Sequence, residues 1–380
     1  MKNILLVDLK SNKASAYNQN VPLALLKIST LEKSRGNSVE FRNRGKLPQR
    51  TPDKICFSPI FLFNIKNDIA YIKAYKEKYP KAEIEIGGIV ATYTPDIFKK
   101  HTPFAKITEG FVREIEIQKP DYSIAGIDSS YGFTSRGCIN KCPWCVVPKN
   151  EGDLKINKTW ENNLDSKHDF FKAMDNNILA CPIEHIESVM MCMKKRNMQI
   201  DFNQAMDCVK FAENENIAKM FSKYPRAFRH IRFAWDSHRQ DKSVEKTLSL
   251  LKKYNLKPNG GNNMWYVLYG FSDKYEDVYL RIKKLLSVEG YHRIKLMRYR
   301  DIRTGLYSNA WSGIDKLLSD FVATVTPTGV LANNHLEMLG DNPKDFMKIM
   351  EVAIAYKKKT KRLMGKIDRA NLLQAVKQRK

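Results

Sequence analysis

The sequence predicts an α/β chain in three parts: a doubly wound parallel sheet over residues 1–120, a partial barrel of β/α units over 121–310, and a basic, mainly helical region over 311–380. Three observations carry this. Strand and helix signals alternate along the first part, the alternation resumes after a cysteine-bearing loop, and Lys and Arg gather beyond residue 343.

The elements follow in order. The run NILLVD at 3–8 is short and apolar, as a buried parallel strand requires. Residues 22–36 begin with Pro, carry apolar residues at helical spacing and stop at Gly. Residues 38–42 alternate like a strand, and 54–58 form another. A helix over 68–79 ends at Pro80. Residues 82–88 run from strand into a Gly-Gly turn, and 105–109 are a last short strand.

After the loop, strands are expected at 197–203, 230–236, 263–270 and finally 293–297, with helices at 209–224, 244–254 and 275–288. Such repeats fit a partial TIM-like barrel, in which reacting groups lie at the C-terminal strand ends. Residues 339–343 read as a loop before a helix.

Composition narrows the function classes. Of 380 residues 43% are hydrophobic, enough for a sizeable core, and no apolar run is long enough to span a bilayer. The N-terminal apolar run lacks the small-residue cleavage site of a signal peptide and reads as a first strand. Seven cysteines without an export signal place the chain in a reducing cytoplasm and argue against a disulfide framework. The net charge is +24, from 65 Lys+Arg against 41 Asp+Glu. That excess attracts polyanions, but a Lys-, Asn- and Ile-rich composition produces it equally, so charge alone does not decide nucleic-acid binding. From residue 343 onward 12 Lys/Arg face three acids, with Phe346 and Tyr356 the aromatics. This is a solvated basic helix or a clamp for phosphates, with few rings to stack bases.

The most specific signal is C-x3-C-x2-C at Cys138, Cys142 and Cys145, with Trp144 before the last thiol. Three thiolates on one short loop can hold three irons of a cubane cluster and leave the fourth without a local ligand. Structural zinc is the alternative. It asks for four Cys/His ligands, whereas Cys56, Cys181, Cys192 and Cys208 are isolated and neither His168 nor His185 is spaced as a partner.

The spacing and the aromatic resemble the signature of the radical S-adenosylmethionine (SAM) superfamily. The resemblance implies a 4Fe-4S cluster on Cys138, Cys142 and Cys145, SAM on the open iron, and one-electron cleavage of SAM to a 5′-deoxyadenosyl radical that takes hydrogen from a substrate. It also implies an external reductant of flavodoxin or ferredoxin type. Trp144 would pack near the adenine or simply pack the loop, and Arg136 would balance the cluster's charge or lie at the surface. Residues 173–180 resemble a variant of the motif that holds the SAM amino group, making Asp175, Asn176 and Asn177 candidates against a plain Asn-rich turn. Residues 201–207 resemble the strand whose amide side chains face the cofactor, making Asn203 and Gln204 candidates. Asp236, at a strand end, can accept two ribose hydroxyls or cap the following helix. The strand at 266–271 resembles the adenine-contacting element. Cys181 is a second thiol participant or a buried cysteine.

Residues 1–120 resemble the Rossmann-like, cobalamin-binding-type domain that precedes many such cores. The points of likeness are a proline-led helix, a strand ending in Gly87-Gly88, and a turn near Gly110. That domain's Asp-x-His-x-x-Gly motif supplies a cobalt-ligating histidine; here Asp8 is followed by Leu9 and Lys10, and the first histidine is His101. Cobalamin is therefore expected only without its usual ligand.

Three functions compete. The first is a radical SAM enzyme acting on RNA or DNA. The second is a radical SAM enzyme acting on a small molecule or peptide, cobalamin-dependent methyl transfer included. The third is a non-catalytic metal-containing nucleic-acid-binding protein. Metal and sulfide analysis separates the third from the others, and salt-dependent nucleic-acid binding separates the first from the second.

Overall fold

The computed structural model describes residues 1–9, 21–257, 263–288, 292–301, 305–307, 311–326 and 328–360. Residues 10–13, which follow Asp8 in the motif comparison, and the basic stretch beyond residue 360 lie outside them. The fold is α/β with parallel sheets. The described residues fall into two compact units, one within Met1–Asn176 plus Gly305, the other within Asn177–Asp301 and from Leu306 onward.

In the first unit, β1 (Asn3–Asp8), α1 (Leu23–Ser34), β2 (Ser38–Asn43), β3 (Lys54–Phe57), α2 (Ile65–Lys78), β4 (Glu83–Ile86), α3 (Gly88–Tyr93), α4 (Pro95–His101) and β5 (Ala105–Ile107) follow the predicted alternation. The five strands form one all-parallel sheet ordered β2-β1-β3-β4-β5. Strand periodicity explains its two covered faces, because successive side chains point to opposite sides. Leu5 and Val7 join Ile55, Phe57, Ile84 and Ile86 in a core completed by Ile72 and Tyr75 of α2. Ile4 and Leu6 join Leu25 and Leu26 of α1 on the other side. Each such side chain contributes about 1.5–3 kcal/mol by burial.

The unit continues with α5 (Arg113–Glu116), β6 (Ser130–Gly132), β7 (Ser135–Arg136), α6 (Val147–Asn150), β8 (Lys155–Ile156) and β9 (Phe170–Ala173). β6 pairs with β9 in parallel, and β7 with β8 antiparallel. The sequence patterns did not mark these four strands. They span two to four residues each, too short to display a period.

The second unit contains α7 (Ile183–Lys195), β10 (Gln199–Phe202), β11 (Met206–Asp207), α8 (Cys208–Glu213), α9 (Glu215–Ser222), β12 (Phe228–Trp235), α10 (Asp241–Lys253), β13 (Asn263–Tyr269), α11 (Tyr275–Ser287), β14 (His292–Arg298), α12 (Ile314–Val325), β15 (Val330–Ala332) and α13 (Pro343–Thr360). Strands β10, β12, β13 and β14 pair in parallel, β11 adds to β12, and β15 closes antiparallel on β14. The strand expected to be last is thus followed by one more.

The helix expected over 209–224 is broken. Asn214 takes an extended conformation, and its side chain accepts from the Asn216 N–H, capping α9. On β12 the odd positions Ile231, Phe233 and Trp235 are buried, with Phe233 and Trp235 against Trp265. The even position Arg232 projects to the other face, beside Tyr266.

Candidate functional site

Cys138, Cys142 and Cys145 are half-buried on a loop of the first unit, and none of the seven cysteines is in a disulfide. The β7–β8 pair holds the base of the loop. At its neck Gly137 has φ +77°, and a Cβ there would lie 2.2 Å from the Asp153 carbonyl oxygen, so only glycine lets the two ends approach. The Cys138 N–H donates to the Gly152 carbonyl at 3.2 Å. The Asn140 N–H donates to Cys138 Sγ at 3.3 Å, the kind of contact that tunes a thiolate-bound cluster.

A polar network fastens this neck. Glu151 accepts from the Gly137 N–H, from Arg136 Nη1 at 3.1 Å and from Asn176 Nδ2 at 2.5 Å. Arg136 also donates to Glu116 at 2.9 Å and stacks on Phe133 and Phe111, its guanidinium carbon 3.4 and 4.4 Å from the ring centroids. It is thus partly buried between two rings and paired with two carboxylates, neither a loose surface group nor a counter-charge reserved for the loop. Glu116 is shared with Lys27 of α1, which lies 3.5 Å away; burial lowers the Lys27 pKa, and Glu116 opposes that. Tyr93 of α3 feels the same loop. Burial raises its pKa most, with Glu151 and Cys145 adding to the effect.

Asp175 is buried and accepts from four donors: the hydroxyls and backbone N–H groups of Thr134 and Ser135, both hydroxyl bonds measuring 2.7 Å. Burial pushes its pKa up and the hydrogen bonds pull it down. Asp175 thus anchors β7, and Asn176 is tied to the neck through Glu151. Sequence reading missed Glu151, whose only signal was an acid six positions past the motif, and Glu116, which lies 22 positions before it and carried no local signal. Trp144 is half-buried on the loop.

The other candidates lie in the second unit. Asn177 is buried and donates to Asp207 at 3.1 Å, while Asp207 caps α8. Asn203 is half-buried and Gln204 exposed, in the turn after β10. That turn closes with Ala205 N–H on the Phe202 carbonyl and Ala205 at φ +73°, an uncommon conformation for a residue with a Cβ. The Tyr266 hydroxyl donates to the Asn203 carbonyl at 3.4 Å and accepts from Arg232 at 2.8 Å. Arg232 in turn holds Asp201 with two bonds of 2.7 and 2.6 Å. Asp236, at the end of β12, is raised to about 6 by burial, with Asp207 and Asp273 adding and Arg281 opposing. The following helical turn is capped by Ser237 and Gln240, so the Asp236 carboxylate is not the cap. Arg281 is buried and bonds Asp273 and the Trp235 carbonyl. Its signal was an arginine on the apolar face of a helix. Cys181 and Cys208 are buried, and burial holds Cys208 protonated.

The donor chemistry fits an iron–sulfur cluster: three thiols on one loop, with a backbone N–H on sulfur. Among the described residues no three His, Cys, Asp or Glu side chains converge on one point as a single metal ion would require. A cubane asks less convergence, since each thiolate binds a different iron. Cobalamin fits poorly. The usual cobalt-ligating histidine is absent after Asp8, and the crevice beyond β1 and β3 is walled by Asp8, Ser58, Phe61 and Asp68, none of them an imidazole.

No protein-family model matches this sequence, and no curated protein matches it. Solved structures do. The cobalamin-dependent S-adenosylmethionine radical enzyme OxsB with aqua-cobalamin bound superposes with a TM-score of 0.50 at 12% identity, over 76% of this chain and 52% of that one. Its apo, selenomethionine-labelled form gives 0.48 at 13% identity, over 75% and 52%. This chain thus spans about half the length of the solved chains it matches, and the likeness is one of fold. Among the described residues no helix is long and apolar enough to cross a membrane.

Proposed function

We propose that the protein is a radical SAM enzyme, with a cobalamin-binding-type domain over 1–120, the catalytic core over 121–310 and a basic helical region beyond, working in the cytoplasm with a flavodoxin- or ferredoxin-type reductant. The observation that carries this reading is the neck of the cysteine loop. Three thiols spaced C-x3-C-x2-C stand on a loop closed by Gly137 and fastened by Glu151, and the fold is shared with an enzyme of that chemistry. When bound, a 4Fe-4S cluster with SAM supplies one-electron cleavage of the sulfonium and a carbon radical that abstracts hydrogen.

The chain's own residues do the rest. Cys138, Cys142 and Cys145 hold the cluster as thiolates. Asn140 lends an N–H to sulfur, and Glu151, Arg136, Asn176 and Asp175 keep the loop from shifting. Asn203, Gln204 and Asp236 are the candidate contacts for SAM. No step runs through cobalamin, for want of its usual histidine ligand. A polyanionic substrate such as nucleic acid is supported by the +24 charge together with Arg293 and Lys295 on β14.

Anaerobic purification with iron, sulfide and zinc analysis tests this, followed by assay for 5′-deoxyadenosine with dithionite. The expected result is about four irons and four sulfides per chain, lost together in Cys142→Ser. Zinc without sulfide, or a full cluster that yields no 5′-deoxyadenosine, overturns it.

A further inference from the structure

The doubly wound sheet of the first unit has its topological switch between β1 and β3, whose neighbours β2 and β4 lie on opposite sides. Crevices at the carboxyl ends of strands beside such a switch are the usual ligand sites of open α/β sheets. Here the crevice is lined by Asp8 at the end of β1, Ser58 just after β3, and Asn64 and Asp68 at the start of α2. Asp8 and Asp68 are 4% and 2% exposed. Asp68 Oδ1 accepts no hydrogen bond, and the nearest ion-pair partner is Arg44 Nη1 at 3.8 Å. Arg44 is held aside by its stacking on Tyr71, 3.8 Å from the ring centroid, and by a bond of 3.3 Å to the Leu9 carbonyl. Asp68 is thus a buried carboxylate beside Asp8, with one offset guanidinium near it and one oxygen that accepts no hydrogen bond.

A buried carboxylate oxygen without a donor is costly and calls for a proton or a cation. The available side-chain ligands are all oxygens, which suit a hard ion and not zinc or iron. The cavity of about 10 Å³ admits one water-sized occupant. A small ion bound through two carboxylates takes the place of that single occupant, its remaining waters lying toward solvent at the mouth of the crevice. We propose that this crevice binds a divalent cation of the magnesium class, held by Asp8 and Asp68 with Ser58, Asn64 and water completing the shell. Burial, with Asp8 adding and Arg44 opposing, pushes the Asp68 carboxyl up to about 7, so a proton competes with the metal near neutrality. The site is independent of the cysteine loop and of any radical chemistry.

The test uses the full chain, stripped with chelator, titrated with MgCl2 by calorimetry and thermal melting at about pH 8, above the Asp68 range. The expected result is saturable binding with a rise in Tm that NaCl of equal ionic strength does not reproduce. Affinity should fall about tenfold or more in Asp68→Asn, and fall in the wild type toward about pH 6. Asp68→Asn removes a buried charge at constant shape, and Asp8→Asn is the second, independent variant. Magnesium that raises Tm no more than NaCl, or that binds both variants as tightly as the wild type, overturns the proposal.

Discussion

Glu151 Oε2 accepts a hydrogen bond from the Gly137 N–H at 3.1 Å, where the two ends of the cysteine loop meet. Gly137→Ala is the sharpest perturbation of that neck. The new Cβ would sit 2.2 Å from a backbone oxygen that cannot swing away, at φ +77°. The expected cost is about 3 kcal/mol, from left-handed strain plus the clash. Iron per chain after anaerobic reconstitution should drop sharply while the far-ultraviolet spectrum is kept. Wild-type Tm and iron content in this variant would refute the neck as a positioning element.

Asp175→Asn tests the anchor of β7. An amide offers one acceptor oxygen and a donor, where the four donors of Thr134 and Ser135 require a carboxylate. The lost charge-assisted bonds outweigh the relief of desolvation, and a net loss of about 2 kcal/mol is expected in denaturant unfolding. Were Asp175 instead only a cofactor contact, stability of the cofactor-free protein would not change.

Stability should depend on Asp236 with a defined sign. Its folded pKa is about 6, raised chiefly by burial, against about 3.9 in an unfolded chain. Between about pH 4 and about pH 6 the native state holds a proton that the unfolded state has lost, so stability falls as pH rises through that window and levels off above it. Asp68 adds a slope of the same sign extending to about 7. Tm measured against pH in Asp236→Asn should show a shallower fall; an unchanged slope would rule out Asp236 as a contributor.

Ala205→Gly is predicted to stabilise. Alanine at φ +73° carries left-handed strain of about 1–2 kcal/mol, and glycine gives back about 0.4–1 kcal/mol through its freer unfolded chain. A Tm increase of a degree or two would follow from a net gain of about 0.5 kcal/mol. A decrease would mean that the Ala205 methyl, buried at 7% exposure, contributes more by packing than its backbone loses.

The long elements were legible because their signals are local. β1, α1, β3, α2, β12, β13 and α11 follow the apolar runs and periods of their own residues, within about three residues at each end. Strands β6 to β9 and β15 were not, being two to four residues long and defined only by partners elsewhere in the chain. The break at Asn214 hid inside an apolar pattern that continues on either side of it.

The sequence by itself determined the alternation of strands and helices and the three thiols on one loop, because both are properties of neighbouring residues. The tertiary structure alone decided which distant side chains partner one another. Asp175 reaches Thr134 across 41 positions, Arg232 reaches Asp201 across 31, and Arg281 reaches the Trp235 carbonyl across 46. Such partnerships follow from which strands lie side by side, and no period or spacing within a segment encodes that. The same closure turned Asp175 and Asn176 into supports of the cysteine loop, and it left an oxygen of Asp68 buried without a donor beside Asp8.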